Sequence, residues 1–286
     1  MPEGDTVWLA GRTLHDALAG SSLTACDFRV PGLATLDLTG RRVDRVSSYG
    51  KHLFFAFDDH RILHTHFRMD GSWHLYSHGV RWKGGPAWQI RAILSTSAVD
   101  AVGYRLPVVE VMDTQRHMAL VNSLGPDLIV DDVDWARAIA QVRGQPEQRP
   151  IGETLLDQRV VAGLGLIYVT ESLFVPGVTP WTSVGDVKDI PGLLAEASRL
   201  MRANRHHYIQ TTTGDTHPDR WHWVFERAGQ SCRRCATTIQ IAWQCRPPRQ
   251  RLAYWCPTCQ MGPGATPLTG AQRRSLRTAG RSRYRP

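Results

Sequence analysis

Lysine is scarce in this chain of 286 residues. Lys51, Lys83 and Lys188 are its three lysines among 34 basic residues, and the rest are arginine. If an amine does covalent chemistry here, very few side chains can supply it. Long apolar runs are missing too. No stretch approaches the roughly 18 consecutive apolar residues of a membrane helix, so no membrane span is expected. The first residues include Glu3 and Asp5 and carry no basic, apolar leader pattern. The expectation is therefore a cytoplasmic protein. Disulfides are not expected in that compartment, and paired cysteines among the six read as metal ligands.

The charge that is present is strongly of one sign. The net charge is +8 and the isoelectric point is about 9.5. That balance points to a polyanionic partner, most simply nucleic acid. Hydrophobic residues make up 42% of the chain, enough for a real core. The length suits about two or three domains.

The chain opens Met1-Pro2-Glu3-Gly4-Asp5. Removal of Met1 before the small Pro2 leaves a free secondary amine beside a carboxylate. An α-amino group titrates near ~7.7–8.0, against about 10.4 for lysine, so near neutral pH it offers far more free base. Amines attack electrophilic carbons and form Schiff bases with carbonyls. Many proteins begin Met-Pro, so the motif needs support from the rest of the chain.

Residues 3 to about 19 read as an amphipathic helix with Val7, Ala10, Leu14, Ala17 and Leu18 on one face, ended by Gly20. Pro2 suits the start of that helix, and the helix dipole there disfavours a protonated amine. From about 23 to 125 the pattern becomes short β segments: Val43 to Ser47, Leu53 to Phe57, Ile62 to His66, Trp73 to Tyr76 and Trp88 to Leu94. This reads as a β-sandwich or barrel. Residues 125–150 read as a hinge with one short helix. Residues 151 to about 210 read as helical, with Leu155, Leu156 and Val160 on one face. There Val161-Ala162-Gly163-Leu164-Gly165 interrupts before Ile167 to Phe174. A helix, a glycine turn and a helix suit backbone phosphate binding as well as ordinary helix packing. The end of the chain carries Arg273, Arg274, Arg277, Arg281, Arg283 and Arg285. It reads either as a disordered basic tail that adds non-specific affinity or as a solvated end.

The most specific spacing is Cys232-x2-Cys235 with Cys256-x2-Cys259. It fits a four-cysteine structural zinc site, closed by protein ligands. Between the pairs, Ile239 to Trp243 and Leu252 to Trp255 read as a β-hairpin around Arg246, Arg249 and Arg251. Arginines so presented suit phosphates and base edges. Cys26 and Cys245 read as spectators.

Together these features resemble the bacterial formamidopyrimidine-DNA glycosylase / endonuclease VIII family of base-excision repair enzymes. The resemblance spans about residues 1–262. It rests on MPEGDT at the start, SYGKHLFF at 48–55, HFRMDGSW at 66–73, LLDQRVVAGLGLIYVTESLF at 155–174, and a finger ending RLAYWCPTCQ. It implies an α+β multidomain fold. An N-terminal β-sandwich with an N-terminal helix (1–125) is followed by the hinge (126–150) and a helix-two-turn-helix domain (151–227). A zinc β-hairpin finger (228–262) and the basic tail (263–286) complete it.

The resemblance also implies roles. Pro2 is the nucleophile toward C1′, Glu3 the general acid–base group, and Lys51 a catalytic and phosphate-binding lysine. His66 and Arg251 bind phosphates. Arg68, Met69 and Asp70 form the loop that fills the void left by a flipped nucleotide, with Met69 the best intercalator, and Arg116 contacts DNA. Gly163 and Gly165 belong to the backbone phosphate binder. Read from the residues alone, Lys51 also fits a plain turn lysine, Met69 a core side chain and His66 a satisfied core histidine. The partner implied is damaged DNA, bound by a monomer with no membrane association, in the bacterial cytoplasm at the nucleoid.

The chain departs from the family at Leu166, where relatives carry a phosphate-holding Asn. The hairpin is about four residues longer than usual. His117 falls at a void-filling position that is aromatic in the purine-specific branch. The Pro-Glu-Gly-Asp start and the short stretch from Tyr208 to Cys232 look like the endonuclease VIII branch. Excision of oxidised pyrimidines with β,δ-elimination is therefore the expectation. A formamidopyrimidine/8-oxoguanine-type glycosylase and a non-catalytic damage-binding protein on the same scaffold are the alternatives.

Overall fold

The computed structural model describes residues 2–245, 247–248 and 250–272. Arg246, Arg249 and the tail arginines from Arg273 onward lie outside the described residues. The chain divides into two compact units. The first runs up to Asp134 and adds Gln158–Gly163 and Met201–Tyr208; the second holds Trp135–Asp157, Leu164–Leu200 and the described residues from Ile209.

The first unit begins with helix α1 (Gly4–Leu18), whose Val7, Leu14 and Leu18 are buried. Ala10 and Ala17 pack against the same core, completing the apolar face read from the sequence. Eight strands follow: β1 (Ala25–Phe28), β2 (Val43–Tyr49), β3 (His52–Phe57), β4 (Ile62–His66), β5 (Ser72–Ser77), β6 (Ile90–Ser95), β7 (Val99–Tyr104) and β8 (Val108–Met112). They form two four-stranded antiparallel sheets, ordered β1-β6-β7-β5 and β2-β3-β4-β8. One core joins them. It takes Phe28, Leu94 and Ala101 from the first sheet, Val46, Leu53, Phe55 and Leu63 from the second, and the apolar face of α1. This is the expected sandwich. Strand alternation explains it: Leu53, Phe55 and Phe57 enter the shared core, while Phe54 points to the other face with Ile62 and Met112. Helix α2 (Thr114–Asn122) contributes Leu120 and Val121 to that outer cluster.

The structure corrects three readings. Trp88 is not in a strand: Ala87–Gln89 form a 3-10 turn after Pro86, and β6 starts at Ile90. Proline's fixed φ suits such a turn start. Helix α2 lies inside the stretch read as all β. It buries no residue, so it leaves no apolar stripe, and its sequence signal is the Asp113 cap accepting the Arg116 N–H at 2.7 Å. Val160 is not helical, because the helix before it stops at Leu156.

The second unit contains α3 (Trp135–Arg143), α4 (Ile151–Leu156), α5 (Leu166–Phe174) and most of α6 (Ile190–Asn204). Strands β9 (Gln240–Gln244) and β10 (Arg251–Trp255) pair antiparallel, Gln244 opposite Arg251 and Gln240 opposite Trp255. No helix among the described residues is long and apolar enough to cross a membrane.

Candidate active site

Three backbone segments of the first unit meet where glycines allow close approach. The Gly4 N–H at the start of α1 donates to the Gly163 carbonyl at 2.9 Å. A Cβ on Gly4 would meet the Gly163 Cα at 3.0 Å, and one on Gly50 would meet the Ala162 Cβ at 3.0 Å. Gly50 and Gly163 also have φ of +57° and +92°, which glycine adopts without strain. The helix start carrying Pro2 and Glu3, the Gly50-Lys51 turn and the Ala162-Gly163 turn are thereby brought together. Glu3 is fully buried at the cap position of α1, although its side chain does not cap the helix.

Asp127, which sequence reasoning passed over, holds this junction. Its buried carboxylate accepts the Gly50 N–H at 2.7 Å and the Ile129 N–H at 3.2 Å. Burial pushes its pKa up to about 6, against the opposing pull of those two amides. The Tyr49 hydroxyl donates to the Gly125 carbonyl at 2.9 Å, tying the same turn to the start of the stretch read as a hinge.

The outer face of the β2-β3-β4-β8 sheet carries a histidine cluster. His52 opposes His66 in the β3–β4 ladder, and His64 opposes Glu110 in the β4–β8 ladder. His52 Nδ1 lies 2.9 Å from His64 Nε2, and His64 Nδ1 lies 2.9 Å from Glu110 Oε1. Arg116 closes the chain, donating to Glu110 Oε2 at 2.6 Å. His66 is half-buried, and its Nδ1 accepts the Arg68 N–H at 2.9 Å. Phe54 stacks on His64 and meets the edge of His117.

Burial, reinforced by neighbouring histidines and Lys51, lowers His52 to about 3. Burial and then Lys51 lower His66 to about 4. Both rings are therefore neutral at neutral pH. An unfolded histidine takes up its proton near 6.5, so between 6.5 and these values the unfolded chain binds more protons. Stability is full above about pH 6.5 and falls as pH drops toward 4. Asp127, raised to about 6, opposes this because its folded form gains a proton first, but the two histidine shifts together outweigh it. Thermal midpoints of the first unit are expected to drop between pH 7 and pH 5. His66→Gln should flatten the profile; an unchanged slope would contradict the assignment.

The loop after His66 projects Met69, which is 56% exposed and so is not a core side chain. Its ends are pinned. The Arg68 N–H bonds to His66, and Arg105 Nε donates to the Asp70 carbonyl at 3.1 Å. Arg68 sits at φ +48°, in the left-handed region.

Gly165, Arg251 and the cysteines belong to the second unit. Gly165 is the cap residue of α5, Leu166 its first residue, and Arg251 is exposed at the start of β10. The Sγ atoms of Cys232, Cys235, Cys256 and Cys259 all lie within 4.8 Å of one another. Cys235 and Cys256 are 3.4 Å apart, and Cys232 and Cys259 are 3.9 Å apart. These separations are far beyond the ~2.05 Å of a disulfide. They bracket the roughly 3.8 Å edge of a tetrahedron with ~2.3 Å metal–sulfur bonds. Backbone N–H groups of Arg234 and Cys259 point at Cys232 Sγ and Cys256 Sγ, at 3.4 and 3.5 Å. The four thiols can hold one metal ion. Cys26 instead accepts the Leu38 N–H, and Cys245 is not in the cluster.

Glu171 was also missed. It is fully buried, yet its carboxylate accepts the N–H groups of Trp223, Val224 and Phe225 at 2.8 Å each, and the Thr212 hydroxyl. It ties α5 to the segment leading into the first cysteine pair. Each buried donor left without a partner costs about 1–3 kcal/mol. Glu171→Ala is therefore expected to destabilise the second unit by more than about 3 kcal/mol. Denaturant unfolding checks this; a loss below about 1 kcal/mol would contradict it.

Comparison with known proteins agrees with this architecture. The profile of the formamidopyrimidine-DNA glycosylase N-terminal domain matches residues 1–107, and that of the formamidopyrimidine-DNA glycosylase H2TH domain matches residues 124–203. The chain is 48% identical over 272 residues to "Probable endonuclease 8 2" of Streptomyces coelicolor, covering 93% of this chain and 96% of that protein. It is 42% identical over 260 residues to "DNA-(apurinic or apyrimidinic site) lyase Nei2" of Mycolicibacterium smegmatis, covering 91% and 99%. A solved structure of Lactococcus lactis Fpg in complex with abasic-site DNA superposes with a TM-score of 0.75 at 22% identity, over 91% of this chain and all of that one. That likeness concerns the fold. With both domains matched and relatives aligned over nearly their whole length, the chain belongs to the formamidopyrimidine-DNA glycosylase family.

Proposed function

We propose that this protein is a bifunctional DNA glycosylase and AP lyase of base-excision repair that removes oxidised pyrimidines and nicks the strand by β,δ-elimination. The observation that carries the reading is the glycine junction. The Gly4–Gly163 hydrogen bond and the Gly50 contact gather an N-terminal proline, a buried glutamate and a lysine turn in one unit.

Once Met1 is removed, the Pro2 nitrogen attacks C1′ of a nucleotide rotated out of the duplex. The C1′–N bond to the base breaks, the Pro2 nitrogen gives up its own proton, and the base leaves with its electron pair and takes up that proton. Glu3 delivers a proton to the ring oxygen. The sugar opens to an iminium between Pro2 and C1′, which acidifies the C2′ hydrogen. Loss of that proton expels the 3′ phosphate, and a second elimination expels the 5′ phosphate. Lys51, His66 and Arg251 hold phosphates, Arg116 contacts the DNA, and Gly163 and Gly165 belong to the glycine turn of the backbone phosphate binder. Arg68, Met69 and Asp70 fill the vacated space, with Met69 as the wedge. The four cysteines hold a structural Zn²⁺, which contributes folding energy to the hairpin and takes no part in the reaction. The protein works as a monomer on damaged DNA.

The pyrimidine assignment rests on the Pro-Glu-Gly-Asp start, the short Tyr208–Cys232 stretch and relatives named endonuclease 8. Cleavage of duplexes carrying 5-hydroxy-pyrimidine, dihydropyrimidine or 8-oxoguanine tests it. Faster cleavage at the pyrimidines is expected; preferential cleavage at 8-oxoguanine would move the protein to the purine-type branch. Binding without cleavage of any substrate, abasic sites included, would make it a damage binder. Leu166 offers no hydrogen bond to a phosphate, so Leu166→Asn should tighten duplex binding by roughly one hydrogen bond, about 0.5–1.5 kcal/mol. An equal or weaker dissociation constant would contradict the part assigned to this position.

A further inference from the structure

The hydrogen-bonded chain Arg116–Glu110–His64–His52 has a direction, and that direction follows from chemistry alone. A carboxylate only accepts, so the proton between Glu110 Oε1 and His64 Nδ1 belongs to His64. His64 is buried and its pKa is lowered, chiefly by that burial. A neutral His64 with its proton on Nδ1 has a lone pair on Nε2. The proton on the 2.9 Å contact between His64 Nε2 and His52 Nδ1 is then His52's. His52 in turn is neutral, so its Nε2 carries a lone pair. His66 is the reverse: its Nδ1 accepts the Arg68 backbone N–H, so its proton sits on Nε2. Two histidines directly opposite each other in the β3–β4 ladder thus present opposite faces, one accepting and one donating.

We infer that Glu110 and His64 are positioning residues that lock His52 in the Nδ1–H tautomer, so that its Nε2 is left as an acceptor while the Nε2–H of His66, directly opposite in the ladder, is left as a donor. A lone pair beside a phosphate oxygen is repulsive, whereas beside a lysine ammonium it is attractive. Lys51 is the charged neighbour of His52, Glu110 and Arg116 are those of His64, and Lys51 and Arg68 are those of His66. The lock gives adjacent strands one ring face suited to a cation and one suited to an anion. Its catalytic consequence rests on the glycosylase/lyase reading above; the tautomer itself does not.

The test uses the full-length protein labelled with ¹⁵N-histidine, whose long-range proton–nitrogen correlations distinguish the two neutral tautomers. His52→Gln and His66→Gln assign the signals. Wild-type His52 should be the Nδ1–H form and His66 the Nε2–H form. In Glu110→Gln the single amide oxygen serves Arg116 and the NH2 group faces His64 Nδ1, which reverses the chain. His52 should then switch to Nε2–H. Arg116→Gln leaves the carboxylate in place, and His52 should keep its wild-type form. A purely structural part for Glu110 would move no tautomer. Strand cleavage at a preformed abasic site by Glu110→Gln should fall in kcat by on the order of 10–100-fold, the range that outer partners of metal-bound histidines set for such orienting contacts, with KM little changed. A wild-type His52 of the Nε2–H form, or one that does not respond to Glu110→Gln, overturns the lock. A switched tautomer with undiminished cleavage overturns its catalytic consequence. Wild-type protein that shows the lock but never cleaves abasic DNA would instead sink the lyase reading and leave the tautomer standing.

Discussion

Glu3→Gln is expected to lower single-turnover excision of an oxidised pyrimidine by about 10²–10⁴-fold, the usual contribution of a positioned proton-transfer group. The substitution keeps the shape of a side chain that is fully buried at the start of α1. The Gly4–Gly163 hydrogen bond and the apolar face of α1 do not depend on the charge, so folding and DNA binding should be retained. What should be lost is the proton that the proposed mechanism delivers to the ring oxygen as the sugar opens. Thermal melting and binding to an uncleavable abasic analogue separate the two effects. Excision within about twofold of wild type would remove Glu3 from the reaction; equal losses in melting and excision would make it structural.

Cys256→Ser, or removal of the metal with a strong chelator, is the second large effect. Structural zinc in small fingers supplies about 10–16 kcal/mol at neutral pH. Little else here could replace it. The buried cluster at the cysteines is small, with Cys232 and Cys256 themselves packed among Phe174, Val224 and Ile239. Arg234 lies over the Phe174 ring at 4.4 Å. Loss of the metal should therefore open β9 and β10 and loosen the C-terminal end of α5, while the sandwich keeps its own core. Amide hydrogen exchange is expected to rise in β9 and β10 and stay unchanged in β3 and β4, with DNA binding abolished. Retained protection in the hairpin and undiminished DNA binding after metal removal would contradict a structural zinc.

Features carried by local pattern were legible in the sequence. Strand β4 was read with its observed bounds because Ile62 to His66 is an unbroken β run between turns. Helix α1 followed from its apolar spacing, and the cysteine cluster from its two short intervals. What stayed hidden depends on contacts distant in the chain. The Asp127 carboxylate meets the Gly50 amide across 77 residues, and nothing near Gly125-Pro126-Asp127 announces it. Glu171 meets Trp223 across 52 residues in the same way, a charged residue inside an apolar helix whose partners are backbone amides. The histidine chain needs the β3–β4 and β4–β8 registers together before His52, His64 and Glu110 come into line. Leu166 was visible only by contrast with a family pattern. Arg246, Arg249 and the tail arginines from Arg273 lie outside the described residues, so the part they play rests on composition. The first ten residues of the stretch read as a disordered tail are instead anchored, with the Leu268 N–H donating to the Ile241 carbonyl at 2.8 Å and the Thr179 hydroxyl to the Pro263 carbonyl at 2.6 Å.

The Pro2 amine is the proposed covalent nucleophile. Wild-type protein with Met1 confirmed absent should be mixed with borohydride and a duplex carrying an abasic site, and the trapped complex digested and mapped by mass spectrometry. The adduct is expected on the N-terminal peptide at Pro2. Because the chain holds only Lys51, Lys83 and Lys188 as competing side-chain amines, each alternative peptide is identifiable. An adduct on Lys51 or another lysine, or no adduct at all, would contradict the mechanism.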